Sequence, residues 1–324
     1  MANPIRTALQ YVLVYGYTIF VMLGMGASID VDIVAEVKKA PKAVLCGVAS
    51  QYCFMPFAAW SLSLLFDLGT SEALAVVLIG MCPGGVTSTL FTYLSHANVT
   101  LSLVMTTCST FVALLMIPLL LFIYVRPPLI SKGEDGADVS FAAVIVTLLV
   151  ATVPAIVGWR LRRSNPELGE KVEKFATKLG SLLIFGVLVF AFAWPGPGGY
   201  GMTAKCFAVM VLMCPCGFLL GYGFGLACGM DQITCRTISM ETGIQQVGIA
   251  GAIAIQSFED DQLDRTIVVM VMFGVATVIF GALWALILRK AFDPPAAKLD
   301  PSDDKTVDPS AIALGDKGFD DHDV

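Results

Sequence analysis

Charge is what this sequence has least of. Only 14% of its 324 residues are Asp, Glu, Lys or Arg, while 56% are hydrophobic and the mean hydropathy is +0.79. A water-soluble domain of this length needs a charged surface, so the composition excludes that class and leaves a polytopic membrane protein. The formal net charge of −6 says little about this body. From Asp293 onward the chain holds nine acids and three lysines, so the tail alone accounts for the −6. That tail, rich in Pro and Asp and poor in aromatics, is expected to be disordered and solvated.

Histidine is nearly missing, with only His96 and His322. A hydrolase would need a Ser/His pair or two close carboxylates, and the spans offer one mid-span acid, Glu241. An enzyme is therefore not expected. Cysteine is not scarce, but most of the nine (Cys46, Cys53, Cys82, Cys108, Cys214, Cys216) sit in apolar runs, where a thiol behaves as a small hydrophobe. The "CPC" at 214–216 lacks the co-ligands of a soft-metal site.

What is present is a series of apolar runs, each long enough to cross a bilayer core of about 30 Å. Nine emerge: 10–27, 41–66, 73–95, 101–124, 140–160, 175–194, 202–227, 233–258 and 266–288. The first could serve as a signal peptide with "GMGAS" as its cleavage region, but only Arg6 precedes it and further spans follow, so it reads as a span. One face of this arrangement carries five basic residues (Arg6, Arg126, Lys132, Lys205, Arg265). The other carries twelve, including Lys38, Lys39, Lys42, Arg160, Arg162 and Arg163. The positive-inside rule puts the richer face in the cytoplasm, with the N-terminus outside and the tail inside. The sequon at Asn98 then lies on the cytoplasmic side and should stay unmodified.

Two spans are interrupted. The third contains "CPGGVTS" (82–88) and the eighth "METGIQQVG" (240–248). Proline removes a backbone donor and glycines permit non-helical dihedrals, so both helices should unwind there. Unwound backbone survives at membrane depth only when buried in protein or lining a cavity. Two such breaks in corresponding positions of two halves point to an inverted-repeat transporter. The match requires halves of four and five spans, the first lacking a leading helix.

Glu241 lies in the second break. A bare charge at mid-bilayer costs roughly 2.5–3.5 kcal/mol, so it needs a partner, a proton or a cation. The spans hold almost no basic residue to pair with it, since Arg236, Lys205 and Arg265 all lie near span ends. A cation such as Na⁺ is the economical answer, held by carboxylate, hydroxyl and unwound carbonyl oxygens. Thr87, Ser88 and Thr89 follow the first break, and Ser102 and Thr106 share one face of the fourth span.

"CPGG-x-x-S", "LS-x-x-x-T-x-x-ST" and "E-x-G-x-Q", in this order, resemble the bile acid:sodium symporter family. So does "KAPKAVLCGVASQYCFMP" (39–56), with its Gln51, and the resemblance runs from "MGASIDVD" through the ninth span. It implies an all-α fold of about nine transmembrane helices, an inverted repeat with two broken, crossing helices. Residues 1–40 and 125–201 would form a panel domain (spans 1, 5 and 6). Residues 41–124 and 202–290 would form a core domain, broken near 82–89 and 241–246, with 291–324 as the tail. The resemblance places one Na⁺ site at Ser88, Thr89, Ser102, Thr106 and Glu241. A second would use Gln51, Glu241, Thr242, Ile244 and Gln245, with Thr242 and Ile244 contributing carbonyls. Gly85, Thr89 and Gln246 would lie at the substrate crossing.

The chain departs from the family pattern at two asparagines of that crossing, which are Thr89 and Gln246 here. Thr89 keeps an oxygen but loses the amide donor; Gln246 keeps the amide on a longer arm. The function implied is Na⁺-coupled symport of an amphipathic organic anion, either sterol-conjugate-like or a small carboxylate, by alternating access. An H⁺-coupled transporter of the same fold and a non-transporting ligand-binding relative are the alternatives. The expected partners are Na⁺, a small organic anion and the lipid bilayer, not nucleic acid, with the protein integral to the plasma membrane.

Overall fold

The computed structural model describes residues 4–29, 32–124, 141–193, 202–258 and 260–292. The acidic tail from 293, and the loop bearing Arg126 and Lys132, lie outside these residues. The fold is all-helical: α1 (Pro4–Ser28), α2 (Ile33–Lys39), α3 (Pro41–Leu65), α4 (Thr70–Met81), α5 (Thr87–Leu94), α6 (Val99–Tyr124), α7 (Phe141–Ser164), α8 (Pro166–Ala193), α9 (Ala204–Ala227), α10 (Gln232–Gly243), α11 (Val247–Ser257) and α12 (Asp260–Phe292). Among the described residues six helices are long and apolar enough to cross a membrane: α1, α3, α6, α7, α9 and α12. The protein is an integral membrane protein. Two other expected spans are each divided between a pair of short helices, α4 with α5 and α10 with α11.

The remaining expected span, α8, is longer and more polar than its apolar run suggested. It begins at Pro166 rather than 175. Its added turns carry Glu167, Glu170, Lys171, Glu173 and Lys174, with Lys174 Nζ 2.5 Å from Glu170 Oε1 one turn away. Such i,i+4 pairs support a helix that projects beyond an apolar layer. The short α2 is a helix no apolar run could announce. Asp32 caps it by accepting from Val34 N and Ala35 N, and Lys38 and Lys39 close its last turn.

Packing sorts the helices into two groups. α1 lies mainly on α7 and α8, while α3, α4, α9, α10 and α12 pack among themselves. Glycine sets the approach in the first group. A Cβ on Gly26 would fall 1.9 Å from Ala155 O, and one on Gly158 would fall 2.3 Å from Leu23 O. α1 and α7 therefore meet backbone to backbone. In the second group α10 is the anomaly. It carries Arg236, Thr237, Ser239, Glu241 and Thr242, yet every residue from Cys235 to Gly243 is buried. A polar helix enclosed on all sides is placed for function rather than for hydrophobic stability.

Candidate functional site

The site is built where the two divided helices meet. α4 ends at Met81, Cys82 is extended, and Pro83 has no N–H to continue the helix. α10 ends at Gly243, and Ile244 is extended at φ −111°, ψ 115°. The two extended stretches pair antiparallel, Gly84 opposite Gln245. Gly85 N donates to Ile244 O at 2.8 Å, and Gln246 N donates to Pro83 O at 3.0 Å. Each break thus satisfies backbone groups that the other leaves open, which an apolar layer demands. Gly84 makes the approach possible, since a Cβ there would lie 2.1 Å from Glu241 Oε1.

Glu241 is 1% exposed and receives three hydroxyl donors. Ser88 Oγ donates to Oε2 at 2.6 Å, Ser102 Oγ to Oε2 at 3.2 Å and Thr106 Oγ1 to Oε1 at 2.6 Å. The Thr89 and Ser102 hydroxyls lie 3.5 Å apart, as do those of Ser88 and Thr106. Three elements, α5, α6 and α10, therefore converge on one carboxylate. Thr89 touches the group through Ser102, not through Glu241.

The glutamines form an adjoining network. Gln51 Nε2 donates to Cys82 O at 2.8 Å and to Gln245 Oε1 at 2.6 Å, and Gln245 Nε2 donates to Thr242 O at 2.7 Å. Ser50 and Thr242 hydroxyls lie 2.8 Å apart beside it. Gln51 Oε1 is buried with no hydrogen-bond partner among the described residues, an acceptor oxygen left over in an enclosed position. A buried orphan oxygen costs stability unless something electropositive meets it, and a donor set of carboxylate, hydroxyl, amide and carbonyl oxygens suits a hard cation. The hydrogen bonds of the Glu241 carboxylate run to the hydroxyl set. The amide set reaches it only through the chain of α10.

A cavity of about 660 Å³ borders this junction. Thr89, Thr106, Gln245 and Gln246 line it, so hydroxyls and amides of the ion-type cluster open onto the same space. Most of the rest is apolar and comes largely from α1, α8 and α12, including Met25, Phe185 and Met270. Both second half-helices present their N-termini to it: Val86 and Thr87 for α5, Gln246 to Gly248 for α11. Neither N-terminus has a side-chain cap. Among the described residues the lining has no Lys or Arg, and Glu173 is its one charged residue.

A family model described as the Sodium Bile acid symporter family matches residues 17–196. Over 252 residues the chain is 33% identical to the human hepatic sodium/bile acid cotransporter, covering 78% of this chain and 71% of that protein. The human ileal sodium/bile acid cotransporter is 26% identical over 269 residues (82% and 75%). The human sodium-dependent organic anion transporter is 26% identical over 262 residues (81% and 68%). The chain belongs to the sodium bile acid symporter family. This is a family of transporters, not enzymes.

Sequence reasoning overlooked several polar contacts that brace this family member's site. Glu72, buried in the first turn of α4, accepts from Thr203 N at 2.6 Å and Thr203 Oγ1 at 2.9 Å, tying α4 to the start of α9. Arg236 Nη1 donates to Ser95 O at 3.0 Å, at the end of α5, and its guanidinium lies 5.1 Å from the Phe292 ring centroid. Asn98 N donates to Thr237 Oγ1 at 3.1 Å. The last two contacts join α10 to the end of α5 and the start of α6, the elements that supply the hydroxyls around Glu241. Their only sequence signal is polarity at span ends, which a solvated end also explains.

Proposed function

We propose that the protein is a secondary active transporter that couples Na⁺ to movement of an amphipathic organic anion across the plasma membrane. One observation carries this reading. A buried carboxylate ringed by three hydroxyls stands at the junction of two broken helices, and a largely apolar 660 Å³ cavity reaches the same junction. Relatives named as a sodium/bile acid cotransporter and a sodium-dependent organic anion transporter support the choice of ion.

The helix ends divide the labour. α4 and α10 direct their C-terminal, partially negative ends toward Glu241, which favours a cation. α5 and α11 direct uncapped, partially positive N-termini into the cavity, which favours an anionic head group where the described lining has no Lys or Arg. Ser88, Thr89, Ser102, Thr106 and Glu241 would hold one ion. Gln51, Gln245 and the carbonyls of Thr242 and Ile244 would hold a second beside Glu241. Thr106 belongs to both the ion cluster and the cavity wall, so ion and anion would be sensed through one hydroxyl.

The nine-span, inverted-repeat architecture counts α4 with α5, and α10 with α11, as single spans. α1, α7 and α8 would be the panel and the other helices the core. The close glycine contacts of α1 with α7 suit a panel that moves as one body. With the N-terminus outside, the cavity runs along α1 from Val14 toward Ser28, that is, toward the cytoplasm.

Thermal unfolding of the purified protein in NaCl, KCl and choline chloride at equal ionic strength tests the coupling. A ligand that binds only the folded state stabilises it by about 2.7 kcal/mol at a hundred times its Kd. A saturable shift specific to NaCl, and lost in Glu241→Ala, is expected. Loss in Ser102→Ala/Thr106→Ala as well would assign the stabilising ion to the hydroxyl site. Equal midpoints in all three salts would defeat the Na⁺ reading.

A further inference from the structure

The wall between the cavity and the N-terminal end of α1 is a row of hydroxyls. Tyr11 OH donates to Ile255 O at 3.0 Å, Tyr15 OH lies 3.5 Å from Ala252 O, and Thr18 Oγ1 donates to Gly248 O at 3.0 Å. The donors fall at i, i+4 and i+7, one face of α1, and the acceptors climb one face of α11 in the opposite direction. Tyr11 and Tyr15 stack with ring centroids 6.1 Å apart. Gln256 Nε2 donates to Tyr15 OH, and Thr147 Oγ1 on α7 lies 3.4 Å from Ala252 O. Beside it, Val14 and Gly251 meet, a Cβ on Gly251 falling 3.3 Å from Val14 Cγ1, and both residues line the cavity.

We propose that Tyr11, Tyr15 and Thr18 form a gate, a ladder of side-chain hydroxyls on α11 carbonyls that shuts the cavity at this end and opens once in each transport cycle. The chemistry suits a contact that must be made and broken. Each rung joins a side chain to a backbone carbonyl of an intact helix, so opening removes the hydroxyl and leaves the fold of α11 alone. Ile255 lies in the last turn of α11, where carbonyls lack helical partners, so water can replace Tyr11 when the gate parts. Further along α1, Val21, Met25 and Ser28 border open cavity instead of α11. The ladder therefore closes one side only.

The extracellular location of this gate rests on the orientation proposed above; the gate itself does not. The test uses the full-length protein in cells and in inside-out vesicles. Val271→Cys, a cavity-lining position on α12, reports access to a membrane-impermeant maleimide, with labelling of the native cysteines subtracted using the parent. Tyr11→Phe/Tyr15→Phe/Thr18→Val removes every rung while nearly conserving volume. In the parent the reporter should label from the cytoplasmic side. In the triple variant, labelling from outside should rise roughly tenfold as the equilibrium shifts toward the open gate. Tyr15→Phe alone should move the same way by less, and guards against a triple variant that misfolds. Unchanged outside labelling in a folded variant would overturn the gate. Labelling that moves from outside to inside would keep the gate and reverse the orientation. Since labelling needs neither substrate nor Na⁺, failure of the Na⁺ reading would appear only in the salt-dependent unfolding.

Discussion

Replacing Gly84 by alanine should separate ion binding from folding. The added Cβ would lie 2.1 Å from Glu241 Oε1, and ordinary contact begins near 3.4 Å, so one partner must give by about 1.3 Å. The backbone is poorly placed to yield, because bonds of 2.8 and 3.0 Å on either side fix it to the extended stretch between α10 and α11. The carboxylate is the softer partner. Swinging it away breaks contacts of 2.6 Å with Ser88 and Thr106, each hydrogen bond to a charged group being worth about 1.5–3 kcal/mol. If the backbone yields instead, overpacking costs about 1–3 kcal/mol. The two routes differ in readout. A displaced carboxylate raises the Na⁺ concentration for half-maximal thermal stabilisation by tenfold or more, and lowers the midpoint in choline as its hydroxyl contacts are lost. A displaced backbone lowers the midpoint in every salt and leaves the Na⁺ half-saturation near that of the parent. The first is expected. Gly223→Ala is the control, because nothing lies within 4 Å of its Cβ position and helix propensity favours alanine by about 1 kcal/mol. If Gly84→Ala binds Na⁺ as well as the parent, the close packing of Glu241 on the first break does not set the affinity.

Other contacts make separate predictions. Gln51→Leu should remove the donors to Cys82 O and Gln245 Oε1 and leave two buried acceptors unmet, costing about 2–4 kcal/mol in unfolding and abolishing any Na⁺ response that depends on the amide network. Thr203→Val should strand the Glu72 carboxylate with one donor fewer and destabilise the protein by about 1–3 kcal/mol, without changing the Na⁺ half-saturation, since this contact lies outside the ion cluster. Asn98 should resist glycosidase-detectable modification when the protein is expressed in eukaryotic cells. It also caps α6 by accepting from Leu101 N at 2.9 Å, so Asn98→Ala should cost about 1 kcal/mol in thermal stability.

What could be read without the structure followed from the bilayer's intolerance of unmet polar groups. Pro83, Gly84 and Gly85 in one apolar run and Glu241, Gln245 and Gln246 in another stand out because water is not there to excuse them. Helical spacing put Ser102 and Thr106 on one face, and the family resemblance, not the spacing, set that face beside Glu241. The antiparallel bridge of Gly84 with Gln245 was not, because it joins positions about half the chain apart and local pattern carries no record of pairing. α2 and the charged first turns of α8 escaped notice for a related reason: a search for apolar runs passes over helices that lie outside the apolar layer.

The hydroxyl ladder of α1 shows the limit more sharply. Tyr11, Tyr15 and Thr18 are ordinary residues for the end of a membrane helix, where tyrosine is enriched at the interface and threonine commonly bonds back to its own chain. Thr18 does bond back, donating to Val14 O at 2.9 Å, and it reaches Gly248 O as well. Only its second contact carries functional meaning, and nothing in the α1 sequence distinguishes the two. Glu241 is the opposite case. A carboxylate inside an apolar run has no innocent explanation, so one residue pointed from sequence to the ion site proposed above. A gate must be cheap to break, and so it is made of contacts that look incidental in sequence. A coupling-ion ligand must be costly to leave empty, and so it announces itself. The salt-dependent unfolding and the two-sided labelling probe these two kinds of site separately. A protein that passes the first and fails the second would bind the ion as argued but close its cavity by some contact other than the ladder.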